Sequence, residues 1–131
     1  MFVFLRIASC ACPSGELIIP EGTTEIKDSE YEGCSTITGE LKIPSTVTRI
    51  GDRAFYSCNG LSGTLVIPPS VTHIGKKAFS YCRGFDKLIL SEGLVTIDNE
   101  AFYNSNGFRG DLVIPSTVTN IGNNTFEQTF F

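Results

Sequence analysis

A phrase of 24 residues returns along nearly the whole chain, and few architectures can accommodate it. From Leu41 the sequence reads LKIPSTVTRIGDRAFYSCNGLSGT. It restarts at Leu65, Leu88 and Leu112, and a weaker first copy begins at Leu17. Successive starts lie 24, 24, 23 and 24 residues apart. A fixed period of roughly 20 to 50 residues marks stacked units rather than one closed core. Function is therefore to be sought on surfaces repeated along a stack, and not in a single pocket.

Each unit can be read as a physical object. The starting Leu and the residue two further on form the pairs Leu17 and Ile19, Leu41 and Ile43, Leu65 and Ile67, Leu88 and Leu90, and Leu112 and Ile114. Apolar residues two apart predict a short strand with one face inward. Pro20, Pro44, Pro68 and Pro115 follow, with Ser91 in the fourth unit. Proline has no N–H to give a ladder, so the strand is expected to end there and the chain to turn. The next segment, V-T-x-I, spaces its apolar residues by three (Val47 and Ile50, Val71 and Ile74). That spacing suits an irregular or helical-turn segment better than a strand. An aromatic column comes next: Tyr31, Phe55, Phe79, Phe102 and Phe126. Ala54, Ala78 and Ala101 precede it as in one buried helical turn. Cys34, Cys58 and Cys82 lie three beyond the aromatic, and Ile37, Leu61, Phe85 and Phe108 complete the inward set. About six inward side chains cannot fold one coil alone, so stability must come from stacking.

The phrase L-x-I-P-x-x-V-T-x-I-G-x-x-A-F-x-x-C resembles the BspA-like class of leucine-rich repeat across residues 17–131. The resemblance implies a repeat solenoid of right-handed coils, with a parallel β-sheet on one face and irregular or short helical turns opposite. It also implies a surface or secreted location and an adhesive role, with host or extracellular-matrix proteins as partners. Residues 1–16 precede the five units and have two readings. The run MFVFLRIASCA resembles a secretory signal, and Ile7-Ala8-Ser9-Cys10 a bacterial lipidation box. However, the apolar run is short, Arg6 interrupts it and no cation precedes it. The same segment also reads as a degenerate repeat capping the stack, since Gly15-Glu16-Leu17 matches Gly39-Glu40-Leu41.

Several classes of chemistry find little support. Ten Lys and Arg are scattered among the units against fourteen Asp and Glu, so there is no basic stripe for nucleic acid. No run approaches the length of a membrane span, and no cofactor motif is present. The single His73 occupies a slot where other units carry Glu25, Arg49, Thr96 and Asn120, which suits a solvated side chain better than a general base. In the cysteine column, Cys34–Cys58 or Cys58–Cys82 bonds are geometrically conceivable. A ladder of reduced thiols packing as small apolar groups is the preferred reading. Cys10 and Cys12 form a C-x-C without a second ligand pair, so no metal site is expected. Asn123-Asn124-Thr125 is a glycosylation sequon only in a eukaryotic secretory route.

The preferred binding surface is the outward strand face. It carries Ile18, Lys42, Val66, Ile89 and Val113, flanked by Glu16, Glu40, Thr64, Lys87 and Asp111. An aliphatic line with a polar rim is the anatomy of a protein interface. Arg109-Gly110-Asp111 spells a candidate adhesive turn, although Thr38-Gly39-Glu40 and Ser62-Gly63-Thr64 in the same slot explain it as a turn before each strand. The expected function is a non-enzymatic, protein-binding module. The alternatives are a passive coat repeat and a stacked-coil carbohydrate-active enzyme. The apolar end at Phe126, Phe130 and Phe131 is expected either to pair with another copy, asymmetrically, or to mark a truncated, longer repeat array.

Overall fold

The computed structural model describes residues 12–131. The expected leader or lipidation features at residues 1–11 lie outside this range. Among the described residues nine short strands occur in chain order: β1 (Gly15–Glu16), β2 (Glu25–Ile26), β3 (Ile37–Thr38), β4 (Arg49–Ile50), β5 (Gly63–Val66), β6 (His73–Ile74), β7 (Phe85–Ile89), β8 (Thr96–Ile97) and β9 (Asn120–Ile121). Among the described residues there is no helix. All pairing is parallel, coil on coil, so the chain is a β-solenoid of about five turns.

The ladder that runs the full height is not the expected one. The order β2-β4-β6-β8-β9 places Ile26, Ile50, Ile74, Ile97 and Ile121 in register, so the V-T-x-I segment supplies the continuous sheet. The reading of V-T-x-I as irregular or helical is corrected accordingly. Its threonines are part of the reason. Thr48 Oγ1 donates to the Thr24 carbonyl (3.1 Å), and Thr72 Oγ1 to that of Thr48 (3.3 Å). The extended segment thus gains a second, side-chain column of inter-coil bonds.

The L-x-I segment forms a paired strand only in β5 and β7, not in every unit, and register explains why. Gly15 stands opposite Ile37, Gly39 opposite Leu61, and Gly63 opposite Phe85. Each glycine lies two residues before its starting Leu. Its partner lies four before the next start in a 24-residue step, but three before Leu88. The next coil therefore carries two surplus residues, or one. One surplus residue is absorbed as a bulge between Gly63 and Thr64, and pairing resumes at Leu65–Leu88 and Val66–Ile89. Two are not absorbed, and the other L-x-I segments run beside each other without ladder bonds among the described residues. Gly63 at the bulge and its equivalents Gly15, Gly39 and Gly110 share a left-handed φ, of +75°, +85°, +82° and +88° respectively.

The prolines behave as expected. The carbonyls of Pro20, Pro44, Pro68 and Pro115 each accept the amide three residues on, and Ser91 does the same in its unit. The aromatic segment is two consecutive turns, and this replaces the expected helical turn. In the second full coil, the amides of Arg53, Phe55 and Ser57 donate to the Lys76, Ala78 and Ser80 carbonyls of the next coil. The intervening amides of Ala54, Tyr56 and Cys58 instead close local turns onto Gly51, Arg53 and Phe55. This alternation puts Arg53 and Ser57 at φ 56° and 61°, as it does Lys77 and Tyr81 at 57° and 61°. A left-handed non-glycine residue costs about 1 kcal/mol, which the inter-coil bonds offset.

The interior is built from columns. Phe55, Phe79 and Phe102 are fully buried, with ring centroids 5.2 and 5.4 Å apart and planes within 9° of parallel. A second column, Phe85, Phe108 and Phe131, meets the first edge to face. A column of Asp and Asn caps the turns. Asp28 Oδ1 accepts the Asp52 amide, Asp52 Oδ1 that of Lys76, and Asn99 Oδ1 that of Asn123, each at 2.8 Å. These carboxyl and amide oxygens fill the space where a Cβ on Gly51, Gly75 or Gly122 would lie. Lys76 offers no acceptor, and the residue above it is Asp98 rather than glycine. Asp98 then caps the Asn99 amide itself, at 2.7 Å.

Candidate functional site

The predicted outward residues lie on the L-x-I face, and the broken register shapes it. Leu17, Leu41, Leu65 and Leu88 point into the core, and the residue after each points out. Ile18 is 78 % exposed and Val113 74 %, against 43 % and 40 % for Val66 and Ile89, where the strands pair. Lys42 completes the row and is exposed. Glu16, Glu40, Lys87 and Asp111 are exposed beside it, and Thr64 is half-buried. The structure therefore brings the predicted row together, but along an uneven surface.

Where coils are unpaired, clefts open between them. The larger, about 380 Å³, lies between the first two coils and is walled by Ile18, Glu21, Lys42, Ile43 and Pro44. The smaller, about 230 Å³, lies between Ile89 and Val113, with Lys87 and Asp111 at its rim. Sequence reading did not find these clefts, because they depend on the two-residue register surplus. Each offers an aliphatic floor and at least one charge of each sign. Such a surface can hold an apolar side chain while its neighbours make polar contacts.

Arg109-Gly110-Asp111 is exposed, and Gly110 has the left-handed backbone of its equivalents Gly39 and Gly63. The Arg109 guanidinium is held within its own loop. Its Nη1 donates to the carbonyls of Asn106 (2.9 Å) and Phe108 (2.7 Å), and its central carbon lies 5.8 Å from the Phe130 ring centre.

The outward row of the long ladder is polar. Arg49 lies 3.1 Å from Glu25 and 3.6 Å from Asp28, and the half-buried His73 stands above it. Among the described residues no three His, Cys, Asp or Glu side chains gather as a metal site would need. No helix there is long and apolar enough to cross a membrane.

The cysteine column divides. Cys58 and Cys82 are free and fully buried, as the thiol-ladder reading requires. Each Sγ donates to a carbonyl of the coil beneath, Cys58 to Tyr31 and Cys82 to Phe55, both at 3.0 Å. Ser105 makes the equivalent bond to Phe79, so serine replaces cysteine there without loss of the donor. Cys34 is different, being disulfide-bonded to Cys12 with 5.1 Å between Cα atoms. Comparing the column only with itself missed this partner. A bridge closing a loop of this size contributes about 3 kcal/mol, and it ties the segment before Leu17 to the first full coil.

Burial pushes the Cys58 thiol up to about 12, and burial followed by the neighbouring Cys58 raises Cys82 as well. An unfolded thiol ionises near about 8.5, so the folded chain keeps protons that the unfolded chain sheds. Stability is therefore full below about pH 8.5 and falls as pH rises towards 12. Both thiols should resist a thiol reagent at neutral pH until denaturant is added. Labelling of Cys58 or Cys82 in the native protein, read by mass spectrometry, would contradict this.

With this geometry in hand, comparison with known proteins is decisive on family. Residues 8–130 match the profile of the BspA type leucine rich repeat region, in six copies. The chain belongs to this family. Among solved structures, this BspA-type chain is similar to a leucine-rich repeat protein from Bacteroides ovatus, with 34 % identity and a TM-score of 0.69. That match covers 84 % of this chain and 30 % of the other. A leucine-rich repeat protein from Bacteroides capillosus is also similar, with 29 % identity and a TM-score of 0.56 over 82 % of this chain and 72 % of the other. The BspA-type chain thus spans under a third of the length of the first relative. No match was found among curated proteins.

Proposed function

We propose that this BspA-type repeat is a non-enzymatic protein-binding module of the adhesion type, acting outside the cell through its L-x-I face. The observation that carries the reading is the outward aliphatic row, in which Ile18 and Val113 expose 78 % and 74 % of their surface beside clefts rimmed by Lys42, Lys87 and Asp111. Exposing such side chains in line is unfavourable unless a partner covers them. The Cys12–Cys34 bond supports the location, because disulfides persist in oxidising compartments. The partner is a protein of the extracellular matrix or of a neighbouring cell surface. The L-x-I face is preferred to the Arg109-Gly110-Asp111 turn, since Arg109 is already engaged by two carbonyls of its own loop.

The test is saturable binding of the intact chain to purified matrix proteins and to host-cell surface protein, measured by surface plasmon resonance. Replacing Val66, Ile89 and Val113 together by Asp should weaken binding by about tenfold or more, as loss of central apolar contacts does. All three side chains are exposed, so the melting temperature should stay close to that of the parent. Binding unchanged in the triple variant would refute the assigned face. No saturable binding to any of these proteins would favour a passive coat repeat.

A further inference from the structure

The paired turns carry a row of tyrosines that belongs neither to the core nor to the L-x-I face. Tyr56, Tyr81 and Tyr103 lie on three consecutive coils, one or two residues beyond the core rings Phe55, Phe79 and Phe102. Each is half-buried. Each of their coils also has a coil on either side, so the row lies on the flank of the stack. The ring centroids of Tyr56 and Tyr81 are 5.5 Å apart with planes at 68°, and those of Tyr81 and Tyr103 are 5.7 Å apart at 71°. Packing does not demand tyrosine here. The same two slots hold Glu32 and Gly33 in the first unit and Glu127 and Gln128 in the last, whereas the interior aromatic column recurs in every unit. Polar groups border the rings. The guanidinium carbons of Arg53 and Arg83 lie 5.2 and 5.3 Å from the ring centres of Tyr56 and Tyr81. Arg53 is also 3.4 Å from Glu32, and Lys77 is 3.4 Å from Glu100. Arg83 is exposed and makes no ion pair among the described residues. Asn104 and Asn106 follow Tyr103, with Asn106 Nδ2 donating to Asn104 Oδ1 at 3.4 Å.

We propose that this row is a binding platform for a neutral glycan, an extended β-1,4-linked chain that lies along the stack with one sugar ring to each coil. The electron-rich faces of aromatic rings attract the C–H groups of a sugar. Spacing fits as well. Parallel coils follow one another at about 4.8 Å, and the tyrosine rings at 5.5 and 5.7 Å, close to the length of one sugar unit in such a chain. A β-1,4-linked chain turns successive rings over, and the tyrosine planes alternate from coil to coil. The bordering groups supply what sugar hydroxyls need: phenol hydroxyls and carboxamides that both donate and accept, and the planar donor fork of Arg83. Charge favours a neutral chain, because Arg53 and Lys77 are already matched by carboxylates and little positive charge is left for a polyanion. Tyr and Arg also serve protein interfaces, but there they surround a dry apolar centre. Here their neighbours are Glu32, Lys77, Asn104 and Asn106, and the exposed aliphatic line is on the L-x-I face.

The chain has no Trp and four Tyr, and the fourth, Tyr31, is buried in the core column, so tyrosine emission reports directly on this row. The probes are cellohexaose, xylohexaose and mannohexaose, added to the full chain. At least one should change the emission saturably, with heat of binding by calorimetry. The matching disaccharide should bind about tenfold or more weakly, since it spans fewer rings. Tyr81→Ala, and separately Arg83→Ala at an exposed position, should each weaken binding by about tenfold while the circular dichroism spectrum is kept. The variant with Val66, Ile89 and Val113 replaced by Asp should bind the hexasaccharide as the parent does, which separates this platform from the proposed protein-binding face. No saturation by any of the three sugars up to about 10 mM would overturn the proposal. So would equal affinity for disaccharide and hexasaccharide, binding indifferent to both single variants, or binding lost in the triple variant.

Discussion

Replacing Phe79 by Ala is expected to cost about 4 kcal/mol, the upper range for a buried aromatic, and to divide the stack in two. Phe79 is fully buried, stacks on Phe55 at 5.2 Å and on Phe102 at 5.4 Å, and meets Phe85 edge to face at 6.4 Å. In a stacked protein each coil is stabilised through its two neighbours, so a defect in the middle removes two interfaces. Small domains have only about 5–15 kcal/mol in total. Phe126→Ala provides the comparison: its ring is half-buried and stacks on one side only, on Phe102. It should cost distinctly less. Urea denaturation followed by circular dichroism would give both values. For Phe79→Ala the transition should also broaden, with a lower slope, because the two halves uncouple. Equal losses for the two variants would mean that the ladder is not the element that couples the coils.

The columns were legible in the sequence because burial leaves a mark at every repeat. Leu41, Val47, Ile50, Phe55, Cys58 and Leu61 each recur in phase, and each is buried. Hydrogen-bonding pattern leaves no such mark. The strand-like Leu-x-Ile pairs suggested a sheet in every unit, yet pairing there turns on whether a unit carries two surplus residues or one. That difference is one residue in the unit that runs from Leu65 to Leu88. Val47-Thr48-Arg49-Ile50 looked irregular because its apolar residues are three apart, and the Thr48 side-chain bond that favours extension was invisible. The left-handed residues Arg53 and Tyr81 are not glycines, so nothing in their identity announced the paired turns that replace a helix. The candidate face followed the same division. Its outward row could be read from alternation, whereas its clefts come from the failed pairing. Cys12 escaped because it lies in a partial coil, outside the phase that defined the column.

A glycine that was not singled out by sequence reading should prove among the least replaceable residues. Gly60, Gly84 and Gly107 lie one coil apart, two beyond Cys58, Cys82 and Ser105. None has a left-handed backbone, so conformation does not demand glycine there. Space does: a Cβ on Gly84 would fall well inside contact distance of the Leu61 carbonyl oxygen, and on Gly60 of the Ile37 oxygen. These are backbone atoms of buried residues, and Leu61 is further held by its bridge to Gly39. They cannot withdraw as the end of a flexible side chain would. Gly84→Ala should therefore cost about 3 kcal/mol, at the upper end for overpacking. Gly39→Ala reverses the cause. Its φ is +82° but its surroundings are open, so only backbone strain of about 1 kcal/mol is expected. Thermal and urea denaturation of the two variants would rank them directly. If Gly39→Ala proved the more damaging, the left-handed backbone before each starting Leu would limit stability, and close approach between coils would not.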